Sequence, residues 1–316
     1  MQVAIDYLTF TSKIHSYKDF IRRLGLENVS FEERGGYNGW SHRLWYNGVN
    51  ILFEGREQDD ICIDISGNGC RVIEEVSGCT FDWLAMLREL EGDIKSRSVH
   101  VSRLDIAGDD RDECLLDFDK MFIYCHHGRY ISKAAFNTYT GGSERIIYFG
   151  APSSDRRLRI YDKALEKKLA EHWVRVEMQM RNKNALSFLL NWYQTGDIGR
   201  CYSSVLRDYV RFTRTKPEGK NHSRVKTCDW WEDFVGHAAA CPQLYLEGSP
   251  YTMWHVEQFL KQQAGSSLRL MLEANGGDMS DIMAIIDGSK LNDRQKRLLA
   301  KVRGKNTPYY GSKDWN

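Results

Sequence analysis

Four short segments of this chain alternate aliphatic with polar or charged residues, and the pattern leaves few folds open. Ile61-Cys62-Ile63-Asp64-Ile65-Ser66 sets three isoleucines against Asp64, and Val101-Ser102-Arg103-Leu104-Asp105-Ile106 sets Leu104 and Ile106 against Arg103 and Asp105. Leu158 to Lys163 opposes Leu158, Ile160 and Asp162 to Arg159, Tyr161 and Lys163, while Trp173 to Met178 opposes Val174, Val176 and Met178 to Arg175 and Glu177. Successive side chains of a strand point to opposite faces, and β-branched residues favour that conformation. Each segment therefore reads as a strand with one apolar face, and such a face must be covered by another layer. As neighbours in one sheet, these strands would put Asp64, Asp105 and Glu177 on the face that carries Tyr161.

That face has a chemistry of its own. A phenol between two cations, as in Arg159-Ile160-Tyr161-Asp162-Lys163, suits attack on a phosphodiester. The cations lower the cost of a phenolate and draw in the phosphate. The plain alternative for this run alone is an ordinary half-exposed strand tyrosine. Carboxylates gathered on a rigid face repel unless a divalent cation or an arginine neutralises them, and an all-oxygen set suits magnesium or manganese. The plain alternative there is that each acid faces solvent from a one-sided sheet.

Several motifs also occur in a familiar order. Asp64-Ile-Ser-Gly-Asn-Gly-Cys70, Arg103-Leu-Asp-Ile-Ala-Gly-Asp-Asp110, Tyr148-Phe-Gly150, Arg159-Ile-Tyr-Asp-Lys-Ala-Leu-Glu166 and Trp173-Val-Arg-Val-Glu177 follow one another within residues 1 to 215. Together they resemble the replication initiation factor family, which includes initiators of rolling-circle plasmids and phages and relaxases of conjugative elements. The resemblance implies that Tyr161 nicks one DNA strand at an origin, stays joined to its 5′ end as a phosphotyrosine and later rejoins it. It implies a magnesium or manganese ion held by Asp64, Asp105 and Glu177, although Asp64 stands where many relatives would have Glu. Arg159, Lys163 and Arg175 are the candidate phosphate neutralisers. The implied activity is that of a site-specific DNA nicking-closing enzyme. Two rivals are a non-catalytic origin-binding regulator and a metal-dependent nuclease without a covalent intermediate. The implied partner is origin DNA, unpaired at the nick and duplex beside it, with a host helicase and a second copy of the chain as further candidates.

Along the chain, strands dominate the first half. Val3 to Phe10 reads as a strand with Asp6 opposite Val3, Ile5 and Tyr7, Tyr17 to Leu24 as a helix, residues 34 to 56 as hairpins and Thr80 to Glu91 as an amphipathic helix. Gly67-Asn68-Gly69 reads as a turn, with no following Gly-Lys-Ser/Thr that would mark a phosphate loop. Ala151 to Ser154 connects a hairpin leading into the Tyr161 strand. Beyond Asn184 helices are expected, among them Ser203 to Phe212, Cys228 to Ala239, Met253 to Ala264 and Asp293 to Arg303. The expected class is α+β: a mostly antiparallel sheet domain over 1–215 for nicking and strand transfer, and a helical region over 216–316 that binds DNA.

Formal net charge is only +1, which argues against a general nucleic-acid coater, yet the cations are unevenly placed. Seven Lys or Arg fall between Arg207 and Lys226, and seven more between Lys290 and Lys305. Arg207, Arg211, Arg214, Lys220, Arg224 and Lys226 are accordingly the candidate duplex contacts. Trp230-Trp231 could stack on bases, though burial in the core is the favoured reading. The adjacent His126-His127 diverge on either a helix or a strand and are set aside as metal ligands. Eight cysteines without a Cys-x-x-Cys pair argue against structural zinc and for reduced thiols. The opening residues lack a signal-peptide pattern, and no apolar stretch approaches the ~18 residues of a membrane span. A cytoplasmic location without membrane contact is therefore expected.

Overall fold

The computed structural model describes residues 1–55, 60–78, 81–111, 113–141, 144–218 and 222–240, isolated positions between 253 and 264, and residues 265–291 and 293–303. They form an α+β protein around a ten-stranded sheet. In chain order its strands are β1 (Gln2–Ser12), β2 (Glu32–Gly35), β3 (His42–Tyr46), β4 (Val49–Phe53), β5 (Ile61–Ser66), β6 (Val99–Asp110), β8 (Phe136–Gly141), β9 (Glu144–Phe149), β10 (Arg156–Asp162) and β11 (Val174–Arg181). The spatial order is β2-β3-β4-β5-β1-β6-β11-β10-β9-β8, with antiparallel neighbours throughout. A separate pair joins β7 (Tyr130–Ser132) to β12 (Val210–Phe212).

Helices cover one face of the sheet. Their stripes follow from sequence: α7 (Asn182–Thr195) buries Ala185, Phe188, Leu189 and Trp192, the spacing of one helical side. α8 (Ile198–Tyr209), capped by Asp197 through the Arg200 amide, buries Ile198, Tyr202 and Leu206. The Tyr202 hydroxyl donates to the Val176 carbonyl at 2.6 Å, and its ring lies so close to Gly108 that a β-carbon there would fall 2.8 Å from it. This close approach seats α8 on the middle of the sheet. α9 (Asp229–Ala240) adds Trp231, Phe234 and Val235, all fully buried or nearly so. The isoleucines of β5, Leu104 and Ile106 of β6, Leu158 and Ile160 of β10, and Val174, Val176 and Met178 of β11 form the sheet side of this core.

The structure corrects several local expectations. Gly67 to Gly69 open a helix, α2 (Gly67–Val76), in place of a turn, with Ser66 accepting the Gly69 amide as its cap. The expected helix Ser203–Phe212 ends at Tyr209, where Val210–Phe212 becomes strand β12 and pairs with β7. The remaining short helices are α1 (Tyr17–Arg23), α3 (Trp83–Glu89), α4 (Glu91–Ser96), α5 (Phe118–His126) and α6 (Lys163–Lys167). The chain divides into two compact units, Met1–Leu246 and Glu247–Asn316, so the boundary expected at 215/216 falls inside the first. The second unit contains α10 (Gly265–Ala274), α11 (Ser280–Gly288) and α12 (Asp293–Arg303); the helix expected over 253–264 lies largely outside the described residues. Cys62, Cys70, Cys125, Cys201 and Cys228 are free thiols, and no described helix is long and apolar enough to cross a membrane.

Candidate functional site

The sheet face opposite the helices carries the charged residues, and a bulge in β1 decides which ones. Ile5 pairs with Ile106 and Tyr7 with Asp105, leaving Asp6 as an extra residue. Asp6 and Tyr7 therefore both turn to the open face, whereas simple alternation had put Tyr7 with Val3 and Ile5. Asp6 meets Arg175, and the Tyr7 hydroxyl reaches Asp64 at 3.1 Å.

Tyr161 lies at the far end of β10 and is only 6% exposed. Its hydroxyl donates to Glu177 Oε2 at 3.3 Å, from the neighbouring strand β11. Arg159 donates to Glu177 Oε1 at 2.9 Å, and the register places Arg159 directly opposite Glu177. The Arg159 guanidinium and the Lys163 ammonium stand 5.2 and 5.3 Å from the centre of the Tyr161 ring. The phenol thus sits between the two cations expected to flank it. Its acidity goes the other way: burial pushes the Tyr161 pKa well up, Glu177 pushes it further, and Arg175 and Arg159 oppose this in part. At rest Tyr161 is a neutral phenol hydrogen-bonded to Glu177. Burial raises the Glu177 carboxyl as well, against the pull of Arg159.

Asp105, one strand over, is held by Arg103 through both carboxylate oxygens at 2.5 to 3.1 Å. Burial raises its pKa to about 7, with Arg103 opposing and the nearby Glu177 and Asp6 adding to the rise. Asp6, Asp105 and Glu177, on three adjacent strands, therefore feel one another's charge. Asp64 does not join them. It lies on β5, with the whole of β1 between it and β6, and accepts Thr9 at 2.7 Å, Tyr37 at 2.6 Å and Tyr7. Among the described residues no three acids or histidines stand close enough to form a metal cage. The expected set of Asp64, Asp105 and Glu177 thus does not fit one ion, because the sheet separates its first member from the other two.

Arg175 is a second correction. It is largely covered and lies between Asp109, which takes Nε and Nη2 at 2.7 Å each, and Asp6, which takes Nη1 at 2.6 Å. Asp109 also accepts the Trp173 indole at 2.8 Å. All three guanidinium nitrogens have partners, so Arg175 ties β1, β6 and β11 together and offers nothing to a phosphate. Asp6 and Asp109, its counter-ions, were not singled out from sequence. Asp109 carried a signal, since it alternates with Asp105 and Ala107; Asp6 faced the expected way without a visible partner.

The basic stretch divides. Arg211 turns inward to the Val225 and His222 carbonyls and holds the segment that follows, so it is structural. Arg214 pairs with Asp229 at 2.5 Å and Arg207 approaches Glu232 at 3.9 Å, both while about half exposed. Arg224 and Lys226 are exposed, and Lys220 lies outside the described residues. Trp231 is core, and Trp230 packs between Phe212 and Tyr124, so neither presents a bare stacking face. His126 packs tilted against Phe122 and edge-on to Phe136.

Comparison with known proteins follows this geometry. Residues 99–286, which hold β6, β10 and β11, match the family described as replication initiation factor. Residues 2–89, which hold β1 and β5, match the rolling circle replication initiation protein N-terminal domain. Among solved structures, a rolling circle replication initiator protein from Geobacillus stearothermophilus shares the fold, with a TM-score of 0.65 and 23% identity over 76% of this chain and 97% of that one. Curated proteins yield no match.

Proposed function

The chain belongs to the replication initiation factor family, and on that premise we propose that it initiates rolling-circle replication by nicking one strand at an origin through Tyr161. The observation that carries this reading is the Tyr161 hydroxyl donating to Glu177 beneath Arg159 and Lys163 on the open face of the sheet. Approach of a phosphodiester brings anionic oxygens to the two cations. As the phenol oxygen bonds to phosphorus, its proton passes to Glu177 Oε2, the P–O3′ bond breaks, and the departing 3′ oxygen takes a proton from water. The strand is left with a free 3′-hydroxyl and a 5′-phosphotyrosine, whose bond energy is kept for rejoining.

The cation requirement implied by the resemblance is part of the proposal. Asp105 and Glu177, on adjacent strands, are the two carboxylates that would hold magnesium or manganese together with the substrate phosphate and water. The ion would supply Lewis-acid polarisation of the phosphate. Origin choice is assigned to the cations after residue 215, because base edges of duplex DNA are read by residues that backbone contacts position.

The test is incubation with a labelled single-stranded origin oligonucleotide. Wild type should yield a covalent adduct that maps to Tyr161, and Tyr161→Phe should bind the same DNA without forming it. A free 5′ end would indicate a hydrolytic nuclease, and binding without cleavage a regulator. Adduct mapped to any other tyrosine would remove Tyr161 from the role.

A further inference from the structure

Next to the Tyr161 site, at the edge of the sheet, the strands β8, β9 and β10 enclose a groove of about 460 Å³. Phe136, Asn137, Tyr139, Tyr148, Pro152 and Arg157 line it. Tyr148 and Gly150 belong to the Tyr148-Phe149-Gly150 motif, which the nicking chemistry leaves without a role. Gly150 is fixed by geometry: its φ is +99°, and a β-carbon would fall 2.7 Å from the Tyr209 hydroxyl and 2.9 Å from the Arg156 carbonyl. That hydroxyl donates to the carbonyls of Phe149 and Arg156 and pins both sides of the hairpin.

Arg157 differs from the other arginines of this face. Arg103, Arg159 and Arg175 each have a carboxylate partner. The Arg157 guanidinium instead lies 3.8 Å from the centre of the Tyr148 ring, and its buried Nε has no hydrogen-bond partner. The groove therefore combines an arginine without a salt bridge among the described residues, the ring of Tyr148, the half-exposed ring of Tyr139 and the amide of Asn137. Asn137 Oδ1 already accepts the Thr138 amide at 2.8 Å, which leaves its NH₂ as a donor. A volume near the small end of ligand pockets fits one nucleotide unit and excludes a duplex. Aromatic rings, an amide donor and a cation are the groups that hold an unpaired base and its phosphate.

We propose that this groove is a nucleotide pocket of the single strand, in which the base stacks on Tyr148 or Tyr139 and its phosphate meets Arg157. Position supports the assignment. Arg157 and Arg159 alternate on one face of β10, and two residues of a strand span about 7 Å, one step of an extended nucleotide chain. Tyr148 pairs directly with Arg159, which itself holds Glu177. The pocket would thus take the nucleotide beside the scissile phosphate. This inference rests on the nicking reading for its meaning but can be tested apart from it.

The experiment measures fluorescence anisotropy with the full chain carrying Tyr161→Phe, which forms no adduct. The probes are a short oligothymidylate and an abasic strand of equal length and charge. The base-bearing strand should bind roughly tenfold tighter than the abasic one, the scale of one stacked base. Adding Tyr148→Ala should remove most of that ratio while leaving abasic binding unchanged, and Tyr148→Phe should restore it. Equal loss on both probes, or no loss on either, would overturn the pocket. Thermal melting separates an unfolded variant from an altered one, and Asn137→Ala, on an exposed position, gives a second route to the same ratio. Should the wild type form no adduct while Tyr148→Ala still lowers the ratio, the pocket stands and the nicking reading falls; the converse result separates them the other way.

Discussion

At Tyr161 the hydroxyl proton, which the proposed nicking reaction would remove, points at Glu177 Oε2, 3.3 Å away. Glu177→Gln keeps the hydrogen bond and the shape but removes the acceptor of that proton. Adduct formation should slow by about 10²- to 10⁴-fold with DNA affinity unchanged, as measured by single-turnover kinetics beside a binding isotherm; an unchanged rate would give the proton another destination. Arg175 sits a few residues away with a different task. Arg175→Ala leaves the buried Asp109 and the half-buried Asp6 without their partner, which should cost about 3 kcal/mol of stability, the low end for breaking a buried pair, read by urea unfolding. Asp105 supplies a pH signature. Its folded value of about 7 exceeds the ordinary 3.8, so its contribution favours the folded state fully below that ordinary value and is lost as pH rises through about 7. Between pH 5 and 8 the melting temperature should fall, and Asp105→Asn should flatten the fall; a wild-type melting temperature that rises over this window would contradict it. Tyr161, Asp105 and Glu177 were legible because plain alternation set their faces. Asp64 was misplaced because alternation says which face a residue takes and not how many strands lie between two residues.

Among the strands and helices, the same limit shows at the β1 bulge and at α2. A bulge has no composition of its own here: Ile5-Asp6-Tyr7-Leu8 reads as regular alternation until β6 supplies the partner that skips Asp6. The glycines of α2 look like a turn for a similar reason, since what demands them is another segment. A β-carbon on Gly69 would lie 2.4 Å from the Gly48 carbonyl oxygen. Gly69→Ala should therefore force α2 off the β3–β4 turn and cost on the order of 1–3 kcal/mol, measurable as a lower denaturant midpoint; an unchanged midpoint would mean that the turn gives way freely. Helices with a local cap and stripe were readable, as at α1, where Ser16 and Asp19 form a capping box. The strand β12 was not, because Val210 to Phe212 continue the apolar stripe of α8 and only pairing with β7 ends the helix.

For the molecule as a whole, the division at Leu246 changes where the chain can be cut. A product ending at residue 215 loses α9, and with it Trp231, Phe234 and Val235 from the core. It should aggregate, whereas a product ending at 246 should unfold cooperatively and still form the adduct on single-stranded DNA. Calorimetry and a gel assay of the two products check this, and a soluble, cooperative 1–215 product would show α9 to be dispensable. Duplex origin preference in the 1–246 product, at fixed salt, then separates the cations of the first unit from those of α12. The strand order has a further meaning for biosynthesis. β1 lies between β5 and β6, so its ladder with β5 can close once residue 66 has left the ribosome, while its ladder with β6 stays incomplete until residue 110 has followed. Tyr161 emerges before Glu177, and Glu177 lies on the strand that joins β10 to β6. A nascent or prematurely terminated chain can therefore carry Tyr161 without Glu177, its hydrogen-bond partner, and without its seat in the sheet; on the nicking reading proposed above, such fragments should leave the template intact.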